Sequence, residues 1–251
     1  MRHFTLQILL VLYCLPLSAF SISAGPEIFY MKRLREGGAH QDGRIDGVRL
    51  IAEHTTCKGW YMGADYFYGR GDLSGKTGSG KKLASKVTDQ IVELRLGRLL
   101  QVYNPSCAYF LPFAGWGYFE EKNDFRSPSP IPFTFTDSYK YIVVGFLSGG
   151  NLSPLLSMGL DFKVRFMMDG EMKVTDDPQY EDFTLPLEKE IQVRIDLPFT
   201  CAFCFKGCPL PLQCTPFYEF RHFGGRIEYP FNIPDTKFHL WGGRVMLSYQ
   251  F

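Results

Sequence analysis

The feature that most constrains this chain is an alternation of period two. In the segment 241–251, Trp241, Gly243, Val245, Leu247, Tyr249 and Phe251 are apolar or small, and Arg244, Ser248 and Gln250 fall between them. Successive side chains of a strand point to opposite faces, so this is a strand with one apolar and one polar side. The pattern recurs. Val48, Leu50 and Ala52 oppose Arg49 and Glu53; Trp60, Met62, Ala64 and Tyr66 oppose Gly63 and Asp65; Val92, Leu94 and Leu96 oppose Glu93 and Arg95. Further along, Leu156, Met158, Leu160, Phe162, Val164 and Phe166 oppose Ser157, Gly159, Asp161, Lys163 and Arg165. Ile191, Val193, Ile195, Leu197 and Phe199 oppose Gln192, Arg194 and Asp196.

The alternation predicts ten strands, at 27–34, 44–54, 59–68, 87–99, 107–119, 139–147, 156–166, 191–199, 215–227 and 241–251; in the ninth the phase is not legible. Many aromatics and glycines with little helical periodicity agree with an all-β fold. Strands of this length match the ten or so tilted residues that cross a bilayer as a barrel. The predicted fold is therefore a transmembrane antiparallel β-barrel of about ten strands, with eight or twelve as the neighbouring even counts. The connections 35–43, 70–86, 120–138, 169–187 and 228–236 are long, and 55–58, 101–106 and 148–154 are short. Long loops on one side and short turns on the other suit such a barrel. Only 201–214 breaks the pattern.

Alternation alone also fits a soluble barrel or sandwich. The polar face separates the two. It carries Arg49, Glu53, Asp65, Glu93, Arg95, Asp161, Lys163, Arg165, Arg194 and Asp196, with balanced signs and interspersed glycines. Arg–carboxylate pairing in a crowded lumen accounts for that composition better than a solvated surface does. The expected neighbours are Arg49 with Asp65, and Lys163 or Arg165 with Asp196.

The amino-terminal stretch has a second signature. Arg2 and His3 precede an apolar run over 6–17, and Ser21, Ser23 and Ala24 follow. This is the layout of a secretory signal peptide, expected over 1–24 with cleavage near Ser23 or Ala24, leaving 25–251 as the barrel domain. The near-zero balance of 27 basic and 26 acidic residues leaves no footprint for nucleic acid.

Through the signal peptide, the alternation and the terminal aromatic, the chain resembles the small outer-membrane β-barrels of Gram-negative bacteria. The resemblance covers nearly the whole mature chain as an architecture. It implies location in the cell outer membrane, contact with outer-membrane lipid and lipopolysaccharide, and Tyr249 and Phe251 as a signal read by the barrel-assembly machinery. It implies a structural or adhesin-like surface role, with a narrow pore or an outer-membrane hydrolase as alternatives.

Cys14 aside, the cysteines are Cys57, Cys107, Cys201, Cys204, Cys208 and Cys214, all beside turns on one predicted side. An even number in an oxidising compartment predicts disulfides, internal or to other envelope proteins. This is similar to the cysteine cross-linked envelopes of chlamydia-type bacteria. In the predicted loop 70–86, Arg70, Gly71 and Asp72 form the integrin-binding tripeptide and are a candidate for host surface ligands. Gly75-Lys76-Thr77 lacks the rest of a phosphate-binding loop. The acidic stretch 169–188 matches no calcium loop. His40, His54, His222 and His239 are the available bases, but no carboxylate–histidine arrangement is legible. No cofactor, metal or catalytic residue is assigned.

Overall fold

The computed structural model describes residues 19–101, 108–178, 181–202, 204–205, 208–227 and 232–251. The wall consists of β1 (Ala19–Arg35), β2 (His40–Thr55), β3 (Trp60–Lys76), β4 (Lys82–Arg98), β5 (Tyr109–Phe125), β6 (Thr134–Asn151), β7 (Leu156–Thr175), β8 (Ile191–Asp196, resuming at Phe199–Cys201), β9 (Leu212–Phe223) and β10 (Thr236–Gln250). Each pairs antiparallel with the next. β10 closes on β1, placing Tyr30 opposite Trp241 and Ile28 opposite Gly243. The sheet is a closed barrel of ten strands, as the alternation predicted. β8 breaks at Leu197 and Pro198, where the ring nitrogen of proline cannot join the ladder. A short strand, Phe183–Pro186, continues its line along β7 at the opposite end.

Outside and inside are set by the phase of each strand. Leu50, Met62, Leu94, Val144, Leu160, Ile195 and Val245 are exposed on the outer face, and Trp60, Tyr66, Tyr68, Trp116, Tyr218 and Trp241 add aromatics to it. A wall that turns its apolar residues outward and buries its arginines has the inverse of a soluble barrel's faces, and it fits lipid contact. β9 resolves as lumen-facing Thr215, Phe217, Glu219, Arg221 and Phe223.

The strands are longer than expected, and the loops shorter. β3 and β4 each span 17 residues and β7 spans 20. The connections predicted over 35–43, 70–86 and 120–138 shrink to 36–39, 77–81 and 126–133, and those predicted over 169–187 and 228–236 fall at 176–190, which holds the short strand Phe183–Pro186, and at 224–235. Past the lipid-facing belt the outer wall is charged, and cross-strand neighbours alternate in sign along Arg44, Asp72, Lys86 and Asp124. Such pairs support strands in water without an apolar face, which is why hydrophobic alternation ends before the strands do. The end of the barrel holding Ala19 and Phe251 is called the terminal end below, and its opposite the far end.

Replacing Leu160 by Arg is expected to cost roughly 2–4 kcal/mol, as for a cation near the bilayer midplane. Leu160→Phe is expected to be near neutral. Urea unfolding in lipid vesicles measures both.

Candidate functional site

The middle of the lumen is filled by a closed ring of alternating charges. Glu93 accepts from Arg95 Nε at 2.7 Å and from Arg165 Nε at 3.2 Å. Arg165 Nη1 donates to Glu219 at 2.7 Å, and Arg194 Nη1 donates to Glu219 at 3.0 Å and to Glu27 at 3.2 Å. Glu27 also accepts from Arg49 Nη2 at 2.9 Å; Arg49 Nη1 and Arg95 Nη2 meet the two oxygens of Asp65, each at 2.7 Å. The circuit returns to Glu93. Four carboxylates and four guanidiniums alternate around it, contributed by β1, β2, β3, β4, β7, β8 and β9.

Three branches extend the ring. Lys163 Nζ donates to Glu93 at 2.9 Å. Arg221 links Glu219 to Asp89, at 2.7 Å and 2.9 Å. Asp196 lies between Arg194 and Arg244, at 3.0 Å and 3.2 Å. Each guanidinium of the ring also lies over an aromatic face: Arg49 over Phe67, Arg95 over Phe113, Arg165 over Tyr141 and Arg194 over Phe217, the last at 3.9 Å. Cation–π contact supplies the attraction that hydration would give in water.

The strands that contribute no charge to the ring supply space or rings instead. Gly115 and Gly117 of β5 and Gly145 of β6 turn toward the lumen where the link from Glu93 to β7 passes. A Cβ on Gly117 would lie 2.2 Å from Cζ of Tyr141. Tyr141 fills that gap and donates to Glu93 at 2.9 Å.

Toward the far end, Phe119, Tyr139, Phe223 and Phe238 form an aromatic layer, with Phe119 stacked on Tyr139 at 4.6 Å. Beyond it Arg33 pairs with Glu121, beside Gln41 and Ser85. Toward the terminal end the lumen widens into a polar chamber of about 260 Å3, floored by Arg95, Lys163, Asp196 and Arg244.

Of the residues expected in the charge network, Arg49, Asp65, Glu93, Arg95, Lys163, Arg165, Arg194 and Asp196 are brought together. Glu53 and Asp161 stand apart on the chamber wall, Glu53 accepting from Tyr61 at 2.7 Å. The Arg49–Asp65 pair forms as expected. The pairing of Asp196 with Lys163 or Arg165 does not: register sets Asp196 opposite Asp161 and Arg194 opposite Lys163, and Lys163 reaches across to Glu93 instead. Glu27, Asp89, Glu219, Arg221 and Arg244 were missed. Glu27 begins the predicted first strand with no face assigned, and β9 had no legible phase.

Arg70, Gly71 and Asp72 do not sit in a loop. They lie within β3, paired to β2 and β4, with Arg70 and Asp72 exposed on the outer wall. Asp169 and Glu171 belong to β7 rather than to an acidic loop. Cys57, Cys201 and Cys214 lie at the terminal end and are unpaired; Cys107 falls outside the described residues, as do the side chains of Cys204 and Cys208. Tyr249 is exposed on the outer face; Phe251 packs on it at 4.7 Å and donates its backbone N–H to Phe20 at 2.9 Å.

A carboxylate–histidine arrangement that the sequence hid appears at the far end. His222 lies between Asp235 and Glu190, with Glu190 at 3.3 Å. The three come from segments separated by loops, and His222 occupies an outward position of β9. Among the described residues no group of histidine, cysteine and carboxylate side chains is placed to hold a metal.

Among solved structures, the chain resembles the outer membrane protease OmpT from Escherichia coli at a TM-score of 0.58 and 12% identity, over 94% of this chain and 97% of that one. It resembles the translocator domain of the autotransporter NalP from Neisseria meningitidis at a TM-score of 0.53 and 11% identity, over 100% of this chain and 95% of that one. No family model and no curated protein matches the chain. At these identities the likeness is one of fold, the outer-membrane β-barrel.

Glu93 is the most heavily bonded carboxylate of the ring. Glu93→Gln is expected to leave Arg95 and Arg165 each with one counter-charge instead of two and Lys163 without its hydrogen-bonded carboxylate, and to destabilise the barrel by about 3–5 kcal/mol. Thermal unfolding followed by heat-modifiable gel mobility measures it, with exposed Glu36→Gln as the near-neutral control.

Proposed function

We propose that this chain is an outer-membrane barrel that does not conduct, with a structural and surface-interaction role. The ring of ion pairs carries this reading, because it bridges the lumen at mid-height with fully buried side chains. Ten strands enclose only slightly more than the eight-stranded case, whose interior side chains fill it. A second, aromatic layer closes the path again. The far end then offers a rigid rim with short loops to the outside, and the apolar belt offers a surface to lipid and lipopolysaccharide. In planar bilayers the purified protein is expected to insert without discrete conductance steps. Reproducible ohmic steps would replace this role with that of a narrow pore.

The remaining proposals concern assembly. β1 pairs from Ala19 onward, and the Ser23 hydroxyl bonds that of Ser248 at 2.6 Å. A cut near Ser23 or Ala24 would remove these contacts, so we place the end of the signal peptide at Ala19, a small residue. Tyr249 and Phe251 serve as the assembly signal. Cys57 and Cys214, exposed at the terminal end, favour disulfides to other envelope proteins. Mass spectrometry of alkylated, non-reduced protein from intact outer membranes is expected to find Phe20 as first residue and these cysteines oxidised. A first residue at Gly25, or free thiols throughout, would reverse the corresponding proposal.

The hydrolase reading gains one observation, the His222 cluster. The cluster faces outward from the wall rather than into the lumen mouth, which ranks that reading second.

A further inference from the structure

Toward the far end the lumen carries three carboxylates that the ring does not use. Asp89 of β4, Glu121 of β5 and Asp137 of β6 stand directly opposite one another across adjacent strands. All three face the lumen, and they are 0%, 0% and 5% exposed. Their outward neighbours Thr88, Gln90, Glu120, Lys122, Thr136 and Ser138 are polar, so the row lies past the lipid-facing belt. Like charges directly opposite on a sheet repel. Two guanidiniums answer the row in part: Arg221 donates to one oxygen of Asp89, and Arg33 pairs with one oxygen of Glu121. Asp89 Oδ1, Glu121 Oε2 and Asp137 Oδ1 are buried without a hydrogen bond. Among the described residues Asp137 has no ion pair; Arg33 and Arg35 attract it from farther away, and Glu121 opposes them. Next along the same face of β5, the Asn123 amide is 1% exposed and bonds through neither atom. An ionised carboxylate only accepts. Facing carboxylates therefore lack a donor between them, and a proton supplies one.

We propose that this row is a proton-binding site: Glu121 and Asp137 share one proton at neutral pH, and its loss loosens the far end of β5 and β6. Burial, and then the charge of Glu121, push the Asp137 carboxyl up to about 7 against the pull of Arg33 and Arg35. Burial pushes Asp89 up to about 6; Arg221 pulls it down, and Glu121 and Glu219 add to the rise. Asp137 also lines a cavity of about 50 Å3 with Arg35 and Thr236, room for a few waters to carry the proton in. The 126–133 connection joins β5 to β6 just beyond the row, so a row of three repelling charges acts on its base. The site needs only the folded barrel, and the conductance test of the closed lumen stands apart from it.

Two measurements on the full folded chain test it, from about pH 5 to about pH 8, a range above the ordinary aspartate value. Infrared difference spectra are expected to show a protonated-carboxyl C=O band that fades across this range and that Asp137→Asn removes. The second readout is stability. A carboxyl whose pKa is higher in the barrel than in the unfolded chain gives stability that is complete below the unfolded value and is lost as pH rises through the folded one. By urea unfolding in lipid vesicles, the wild-type folding constant is expected to fall at least tenfold across the range relative to Asp137→Asn. That comparison cancels the other titrating groups, His222 among them. Heat-modifiable mobility reports folding, and Asp137→Ser takes the place of an Asp137→Asn variant that fails to fold. Absence of the band from the folded wild-type chain overturns the proposal. So does a band that survives in the folded variant or is lost only in Asp161→Asn, and so do equal pH slopes for wild type and variant.

Discussion

The structure depends on how a narrow lumen disposes of charge. A lipid-facing wall must be apolar outside, so every ionic side chain in the spanning part turns inward. There the charges sit among one another and among aromatic rings, buried from solvent. An isolated charge in that setting would be prohibitively expensive, and a lone pair would barely recover its desolvation. The closed ring through Glu93, Arg165, Glu219, Arg194, Glu27, Arg49, Asp65 and Arg95 answers both costs. Each of its carboxylates has a guanidinium on either side and each guanidinium a carboxylate on either side, so no member is terminal. Arginine suits the position because its fork reaches two partners at once while its flat face stacks on a ring.

The ring also determines where the wall must be thin. Charges from β4 and β7 meet although β5 and β6 lie between them around the wall. They can do so because those strands present Gly115, Gly117 and Gly145 inward at that level. Tyr141 then covers Gly117, stacks on Arg165 and donates to Glu93. Glycine, tyrosine, arginine and glutamate on four strands thus form one packing unit. The ring as a whole joins Glu27 of β1 to Arg194 of β8 and Glu219 of β9, so it completes only as the barrel closes, and closure of the wall and closure of the lumen become the same event.

Much of this was legible in the sequence, and the rest was hidden for identifiable reasons. Lipid contact forces strict alternation, so the spanning part of most strands could be read, and so could the face carrying Arg49, Asp65, Glu93 and Arg165. Where the wall leaves the hydrocarbon, that constraint lapses. Arg70 and Asp72 then look like a loop although they sit in a ladder, because charged cross-strand pairs leave no apolar signature. Glu219 and Arg221 were lost because Pro216, Phe217, Tyr218 and Phe220 make both faces of β9 look apolar. Pairing was less visible than placement: Asp65 and Arg49 are diagonal neighbours on adjacent strands, but the partner of Lys163 lies across the lumen, and no local pattern encodes a cross-lumen distance.

The extra length of the wall has a consequence for what meets the far end. About ten tilted residues cross the hydrocarbon, whereas β3 and β4 run for 17. The remainder stands clear of it as ordered ladder, with Asp46 opposite Arg70 and Arg44 opposite Asp72 on its outer face. A flexible loop loses conformational entropy on binding and adapts to many partners. A ladder loses little and adapts little. Its charges keep fixed spacing, so a partner has to match their order along the strand as well as their sign. Under the proposed surface-interaction role, recognition at this end would rest on a preformed pattern of alternating charge, held rigid by the same hydrogen-bonded wall whose lower half faces lipid.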